Sequence, residues 1–439
     1  MTRKQHVTLS VEADTVFLKL ATSFVENSAT AFGMDYAEAL ALTLAAEEIF
    51  SYLCQSTAPH QDLEIRCFGG GYYVQVQFLF EAQDFNMRSF NLPATAFIQD
   101  EANLGETGLL IASRMVDRFD LSAEYGEKHR LTLTKEKTYP GLAETDLPEI
   151  EAMPRFRLKA PEVEETKLFA RLVRRNYADQ ILPPFFSFPG KVADMVVSGE
   201  YHAIVARHDT GKLGGGMLWR MGRHTIVECY GPYVFGPNAG TEMAAALVDS
   251  CIEGIARTEA AGLINRYPSR DLPEGYFEEL GTLRFSTDEH CAREIPVLYR
   301  QLVEDAGAAV WSHPDLEQFL RDEYQRLCLA RQILPVHSQG ETSAAFSVLS
   351  AEFDRPNRQV TLNPVLSGAD ADHNLARHVE ILKKEGLTSI LFLMDLGKPW
   401  QSDFVPALLK HDFEPRVIMP YAGNRDLVIF QLKTGDLPE

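Results

Sequence analysis

Long apolar runs are absent from this chain of 439 residues. No segment reaches the ~18 uninterrupted apolar residues that a membrane-spanning helix needs. The opening Met1-Thr2-Arg3-Lys4-Gln5-His6 leads into an alternating strand pattern, not into an apolar leader. Basic residues are scarce as well: 42 Lys and Arg stand against 62 Asp and Glu, a net charge of −20. Nonspecific binding to nucleic acid or to an anionic membrane needs clustered Lys and Arg, so neither is expected, although a local basic pocket remains compatible. The six cysteines (54, 67, 229, 251, 291 and 328) form no C-x-x-C pair and have no His at zinc-finger spacing. That usage fits a reducing compartment, with each thiol a small buried hydrophobe, and the expectation is a cytoplasmic protein. No Ser-His-Asp signature, metal-ligand cluster or intact Walker-type loop stands out. His373 and His378 are five apart and do not share a helix face well.

What is present is ordinary globular composition: 45% hydrophobic and 24% charged residues, enough to bury real cores. The length implies about three domains. Residues 6–12 alternate as a strand. Residues 13–31 follow with helical spacing at Val16, Leu20 and Phe24 behind Asp14, a cap. Tyr36 to Cys54 is a long helical run. Leu63–Cys67 and Tyr72–Phe80 read as strands around the turn Gly69-Gly70-Gly71. A helix over Gly108–Phe119 and strands over Leu121–Tyr125 and Arg130–Thr134 complete an α/β sandwich with its helices on one sheet face.

Pro140, Pro148, Pro154 and Pro161, interleaved with acidic residues, mark a linker. A second α/β unit follows: helices over 162–177 and 191–198, a strand meander over 202–235, a helix over 241–260, a strand over 262–267 and a helical turn over 276–280. The last third reads as a helix over 315–333, strands over 344–352 and 359–365, a helix over 372–385, a strand over 387–395, a helix over 403–411 and a closing strand pair. The last two parts share their element order, an internal structural repeat. The expected domains are 1–136, a linker over 137–160, then 161–305 and 306–439. The expected fold class is α/β (α+β).

Gly105-Glu106-Thr107-Gly108 runs straight into a helix ending near Met115, and Glu47-Glu48 lie on a helix about sixty residues upstream. Glycines before a helix let the backbone approach an anion and turn free N–H groups toward it. With Leu42 to Ile49 as the acidic helix, Gly105 to Met115 as a glycine box and Tyr125 to Leu133 as a terminal hairpin, residues 1–136 resemble GHKL ATPases of the anti-sigma-factor serine kinase type. That resemblance implies ATP or ADP as ligand, Glu48 as the acidic catalytic residue, Glu81 at the adenine and Gly105 and Gly108 at the phosphates. The family's Mg²⁺ ligand, four residues after the Glu, is here Tyr52, a poor magnesium ligand. The expected Asp-x-Gly reads Glu81-Ala82-Gln83. Nucleotide binding is expected, without hydrolysis or kinase activity necessarily following, and no metal residue is assigned.

The meander over 202–235, the turn Gly236-Pro237-Asn238-Ala239-Gly240-Thr241, the helix after it, and Ala407 to Arg416 near the end resemble the GNAT acetyltransferase fold over 155–435, in two units. The resemblance implies acetyl-CoA, with its pyrophosphate against Gly236, Gly240 and Thr241. In the last unit the equivalent turn, 366–372, is acidic and would repel a pyrophosphate. The chemistry needs a base for the amine and an acid for the leaving thiolate. Glu228 is the candidate base, assisted by His224 or Tyr230, and Tyr276 the candidate acid. The alternative for Glu228 is a solvated carboxylate on an outward strand position. Leu182 to Pro189 reads equally as a substrate mouth or a packed loop.

Three functional readings follow. One is a regulatory protein whose degenerate nucleotide module binds a nucleotide or a partner protein and is fused to acyltransferase-like domains that sense or act. The second is an acetyl-CoA-dependent N-acyltransferase under control of its N-terminal domain. The third is a protein-binding scaffold without ligands.

Overall fold

The computed structural model describes the chain apart from residues 1–4, 58–60, 82–90, 92–111, 113, 124–127, 143–146, 148–154, 223, 237–240, 289–290, 337–343 and 434–439. The architecture is mixed α/β, as the periodicities predict. The chain divides into two compact units. The first comprises Met1–Thr138 with Ser343–Glu352 and Leu362–Glu385; the second comprises Tyr139–Thr342 with Phe353–Thr361 and Gly386–Glu439.

In the first unit, strands His6–Glu12, Asp62–Gly69, Tyr73–Glu81, Lys128–Glu136 and Arg118–Ala123 lie side by side in that order, each antiparallel to the next. Alternation puts Leu63, Ile65, Cys67, Val76, Phe78, Leu131 and Leu133 on one face. Against it pack helices Leu18–Ala31 and Tyr36–Ser56. The second helix starts at a capping box: the Glu38 amide donates to Asp35 Oδ1 (2.8 Å) and the Asp35 amide to Glu38 Oε2 (2.9 Å). Asp14 does cap, but what it caps is the 3-10 turn Thr15–Phe17 ahead of the first helix. The buried stripe of that helix is Ala21, Val25, Ser28 and Ala29, whereas Val16 and Leu20 are exposed. Small side chains make the contact because they let the helix approach its neighbours closely. Of the helix expected over 108–119, Ala112, Arg114 and Met115 are helical, residues 108–111 and 113 lie outside the described residues, and Arg118 and Phe119 instead open the strand Arg118–Ala123.

In the second unit, seven strands are ordered Glu278–Asp288, Cys291–Gln301, Gly262–Asn265, Ile226–Val234, Leu213–Met221, Tyr201–Arg207 and Arg157–Lys159. All neighbours are antiparallel except Ile226–Val234 with Gly262–Asn265. On one face, Met243, Ala244, Leu247, Val248 and Cys251 of helix Thr241–Ile255 pack on Met217, Trp219, Val227, Cys229 and Leu263. On the other face, Ile226, Ile264, Leu283, Phe285 and Val297 meet Leu391, Val417, Met419 and Ile429. These last residues come from the antiparallel strands Ser389–Asp395, Leu427–Leu432 and Phe413–Met419.

Three local expectations change. The segment 276–280 is not helical: it enters the long hairpin Glu278–Asp288/Cys291–Gln301, which the alternation of Leu283, Phe285, Ile295 and Val297 builds and the interposed charges Arg284 and Glu294 disguise. The run 315–333 is a helix only over Pro314–Arg326; after Cys328, at φ +52°, the chain forms strand Arg331–Pro335, parallel to Ala308–Ser312. Cys328 is also exposed, while Cys67, Cys229 and Cys251 are buried as expected. Among the described residues no helix is long and apolar enough to cross a membrane.

Candidate active site

The meander of the second unit sends alternate side chains to opposite sheet faces. Val227 and Cys229 go to the helix face, so Glu228 and Tyr230 go to the other. Glu228 is register partner to Arg220 on the neighbouring strand. Arg220 Nη2 and Nε donate to Glu228 Oε2 at 2.7 and 2.9 Å, and the Tyr230 hydroxyl donates to the same oxygen at 2.8 Å. The Arg220 guanidinium also lies over the Tyr201 ring, 5.5 Å from its centroid. Phe185 packs edge-on to Tyr201 and Tyr230, with centroids 5.8 and 5.2 Å away. Its neighbour Phe186 is fully buried beside Phe169 and Tyr233. The Leu182–Pro189 segment thus gives one aromatic ring to the polar cluster and one to the core.

The electrostatics follow from this packing. The Glu228 side chain is 27% exposed. Burial pushes its carboxyl up, but the charges of Arg220 and Arg266 and the bonds from Arg220 and Tyr230 outweigh that and hold it below the usual carboxylate range. Burial, followed by the Glu228 charge, pushes the Tyr230 hydroxyl well above its ordinary value. At neutral pH Glu228 is therefore ionised and Tyr230 protonated. Arg266 Nε is buried without a hydrogen-bond partner among the described residues.

This cluster stands where the parallel pair separates. Gly262, Leu263 and Ile264 pair with Ile226, Val227 and Glu228, and there the ladder ends, although the strand runs on to Val234. Gly231 turns the chain at φ +101°, and a Cβ there would meet the Tyr233 amide at 2.9 Å. A cis bond joins Gly231 to Pro232. The backbone released from the ladder is paired by side chains instead. Asn265 Nδ2 donates to Gly231 O at 2.8 Å, and the Ser269 hydroxyl to Pro232 O. The Val234 amide donates to the Tyr177 hydroxyl at 2.6 Å, and that hydroxyl donates to the Asp271 carboxylate.

The other sequence candidates are placed as follows. Tyr276 lies before strand Glu278–Asp288, and its hydroxyl is 3.3 Å from Asp249 Oδ2 on helix Thr241–Ile255. That is the helix face of the sheet, opposite Glu228, so the two are not brought together. His224 is exposed in the turn before the strand, at φ +62°. Gly236 follows the strand at φ +105°, and Thr241 is exposed at the helix start; Gly240, like Gly105 and Gly108, lies outside the described residues. In the first unit Glu48 is half-buried, Glu81 is exposed at a strand end, and Tyr52 is buried in the core cluster. Core packing removes Tyr52 from the role of metal ligand.

Sequence reasoning passed over Arg220, Tyr177 and Asp271. A signal for Arg220 existed: the short turn through Gly222 sets a register in which 220 and 228 are opposite. Nothing local points to Tyr177 or Asp271, 94 residues apart.

No family model and no curated protein matches the chain. Solved structures that resemble part of it include acetyltransferases. An acetyltransferase of the GNAT family from Staphylococcus aureus is 9% identical, with a TM-score of 0.27, covering 34% of this chain and 100% of that one. An aminoglycoside 6'-N-acetyltransferase from Enterococcus faecium is 11% identical, with a TM-score of 0.27 and coverage of 34% and 98%. A variant of spermidine N-acetyltransferase from Vibrio cholerae is 13% identical, with a TM-score of 0.27 and coverage of 33% and 94%. No residue role follows from likeness at this level.

Proposed function

We propose that the second unit transfers an acyl group from a thioester of the acetyl-CoA type to an amine. The observation that supports this reading is the convergence of Glu228, Tyr230 and Arg220 on one sheet face at the end of the parallel ladder. An ionised carboxylate there attracts the substrate ammonium; the neutral amine left when one proton goes to solvent attacks the thioester carbon, and the carboxylate takes the second proton that N–C bond formation has made acidic. The C–S bond breaks, and the thiolate leaves to be protonated. A carboxyl held low is a weak base toward a free ammonium, so positive-charge placement is the larger part of its role. Gly236 and Thr241 flank the turn assigned to the pyrophosphate, with a helix N-terminus behind it.

Thiol release from acetyl-CoA in the presence of a panel of primary amines tests the reading. Glu228→Gln is expected to lower kcat/KM by about 10²–10⁴ while leaving acetyl-CoA binding in place. Undiminished turnover in that variant, or no thiol release by the native chain with any amine, would overturn it.

A second reading is regulatory binding without turnover. Its support is that Tyr177 and Asp271 already occupy the Val234 amide where the strands part. Thermal unfolding with acetyl-CoA, Mg-ATP and ADP in separate samples distinguishes the two, because a ligand at about 100 times its Kd adds roughly 2.7 kcal/mol to the unit that binds it. A shift with nucleotide alone favours regulation through the first unit. Flat curves with all three remove every nucleotide and CoA reading.

A further inference from the structure

A cavity of about 400 Å³ in the second unit lies outside the Glu228 cluster. Its walls come from the loop after strand Gly262–Asn265 and from strand Cys291–Gln301 on the side where pairing with Gly262–Asn265 ends at Leu298. Leu272, Phe277, Ile295 and Leu298 make the apolar part. Four polar residues share the lining: Gln180, Ser269, Arg270 and Glu274, of which the Ser269 hydroxyl is already bonded to Pro232 O. Gln180 Oε1 is buried and has no hydrogen-bond partner among the described residues. A buried acceptor left unpaired destabilises the fold, so a ligand that donates to it recovers that loss. The Arg270 guanidinium is stacked 4.8 Å over the Tyr177 ring and gives one bond to Asn176 O at 2.9 Å. Its contact with Asp179 is a long 3.6 Å, so donors remain for an incoming anion.

We propose that this cavity binds a free α-amino acid with an apolar side chain. An α-carboxylate matches Arg270, which can hold it through two parallel bonds. An α-ammonium supplies donors for Gln180 Oε1 and sits beside the Glu274 carboxylate. The side chain fills the space against Leu272, Phe277, Ile295 and Leu298. A neutral hydrocarbon leaves Gln180 unpaired, and a simple anion is repelled by Glu274, so the zwitterion with an apolar tail is the class that answers every group. The volume lies within the ~300–1,000 Å³ of small-molecule sites. This inference does not depend on acyl transfer, and its test uses no acyl donor.

The experiment is calorimetric titration of the full chain with L-leucine and L-phenylalanine, beside leucinamide, which lacks the carboxylate, and N-acetyl-leucine, which lacks the ammonium. Saturable binding of the free amino acids is expected, with each blocked analogue about 10-fold weaker or more. Gln180→Leu and Arg270→Gln are each expected to weaken leucine by a similar factor while the thermal unfolding of the free protein stays cooperative. Should Gln180→Leu fail to fold, the analogue series on the native chain and the exposed Arg270→Gln carry the decision. No binding up to about 10 mM, equal binding of the blocked analogues, or binding indifferent to both variants would overturn the proposal.

Discussion

Arg220 and Glu228 face each other across neighbouring antiparallel strands, and two of the arginine's three nitrogens, Nε and Nη2, bond the same carboxylate oxygen. Sharing that oxygen with the Tyr230 hydroxyl makes it the focus of the cluster. Glu228→Gln removes the charge that Arg220 faces. Hydrogen bonds to charged groups contribute about 1.5–3 kcal/mol, and with side chains 35% and 27% exposed, solvent screening reduces the expected loss to roughly 1–2 kcal/mol. Urea unfolding of the variant measures it. The pH dependence has a fixed sign. Because the folded carboxyl titrates lower than the unfolded one, this stability is complete above the unfolded value of 4.5 and disappears as pH falls through the folded value. A variant whose acid sensitivity below 4.5 matches the native chain's would contradict this account.

His378, on helix Ala371–Lys384, works in a higher pH window. The imidazole is fully buried; Nδ1–H donates to Asn374 O at 2.9 Å, and Nε2 has no partner among the described residues. Burial lowers its titration from 6.5 to about 4. Between those values the unfolded chain binds the extra proton, so stability is complete above 6.5 and declines as pH drops toward 4. The decline amounts to ~3 kcal/mol at most. Thermal midpoints between pH 7 and 4 should fall less steeply in His378→Leu than in the native chain.

Arg331 is a buried cation with two anions. Its side chain has no exposure, Nη1 and Nε lie 2.8 and 2.6 Å from Asp305 and Asp426, and Tyr324 and Tyr421 cover the guanidinium. Arg331→Met leaves two carboxylates facing each other, and a loss of about 3–5 kcal/mol is expected. Adding Asp305→Asn and Asp426→Asn should restore part of it. A triple variant no more stable than the single one would show that packing, and not charge, is what Arg331 supplies.

Gly281 closes the bulge that begins at Glu279, at φ +144°, and a Cβ there would stand 2.3 Å from Arg416 O. The neighbour is backbone and cannot swing aside. Gly281→Ala is expected to cost upward of ~2 kcal/mol, from strain and steric overlap together. Denaturant unfolding with an unchanged slope and a lowered midpoint is the expected signature.

By itself the sequence determined the mixed α/β class, the helices expected over 36–54 and 162–177, the glycine-turned hairpin at 69–71 and the meander. Each rests on local periodicity or a local cap, which a short window contains. The long hairpin 278–301 stayed hidden because its charged outward positions mask the inward alternation, and the helix ending at Arg326 did so because a left-handed residue carries no mark in composition. Glu228 was legible as a strand carboxylate, but its state was not. That depends on Arg220 through a hairpin register and on Arg266 through the parallel pairing of two strands, which only the tertiary structure decides. The Tyr177–Asp271 pair at Val234 and the buried Gln180 oxygen arise in the same way. They exist because distant segments meet where backbone groups must be paired or left unpaired, and that requirement appears only when the chain is folded.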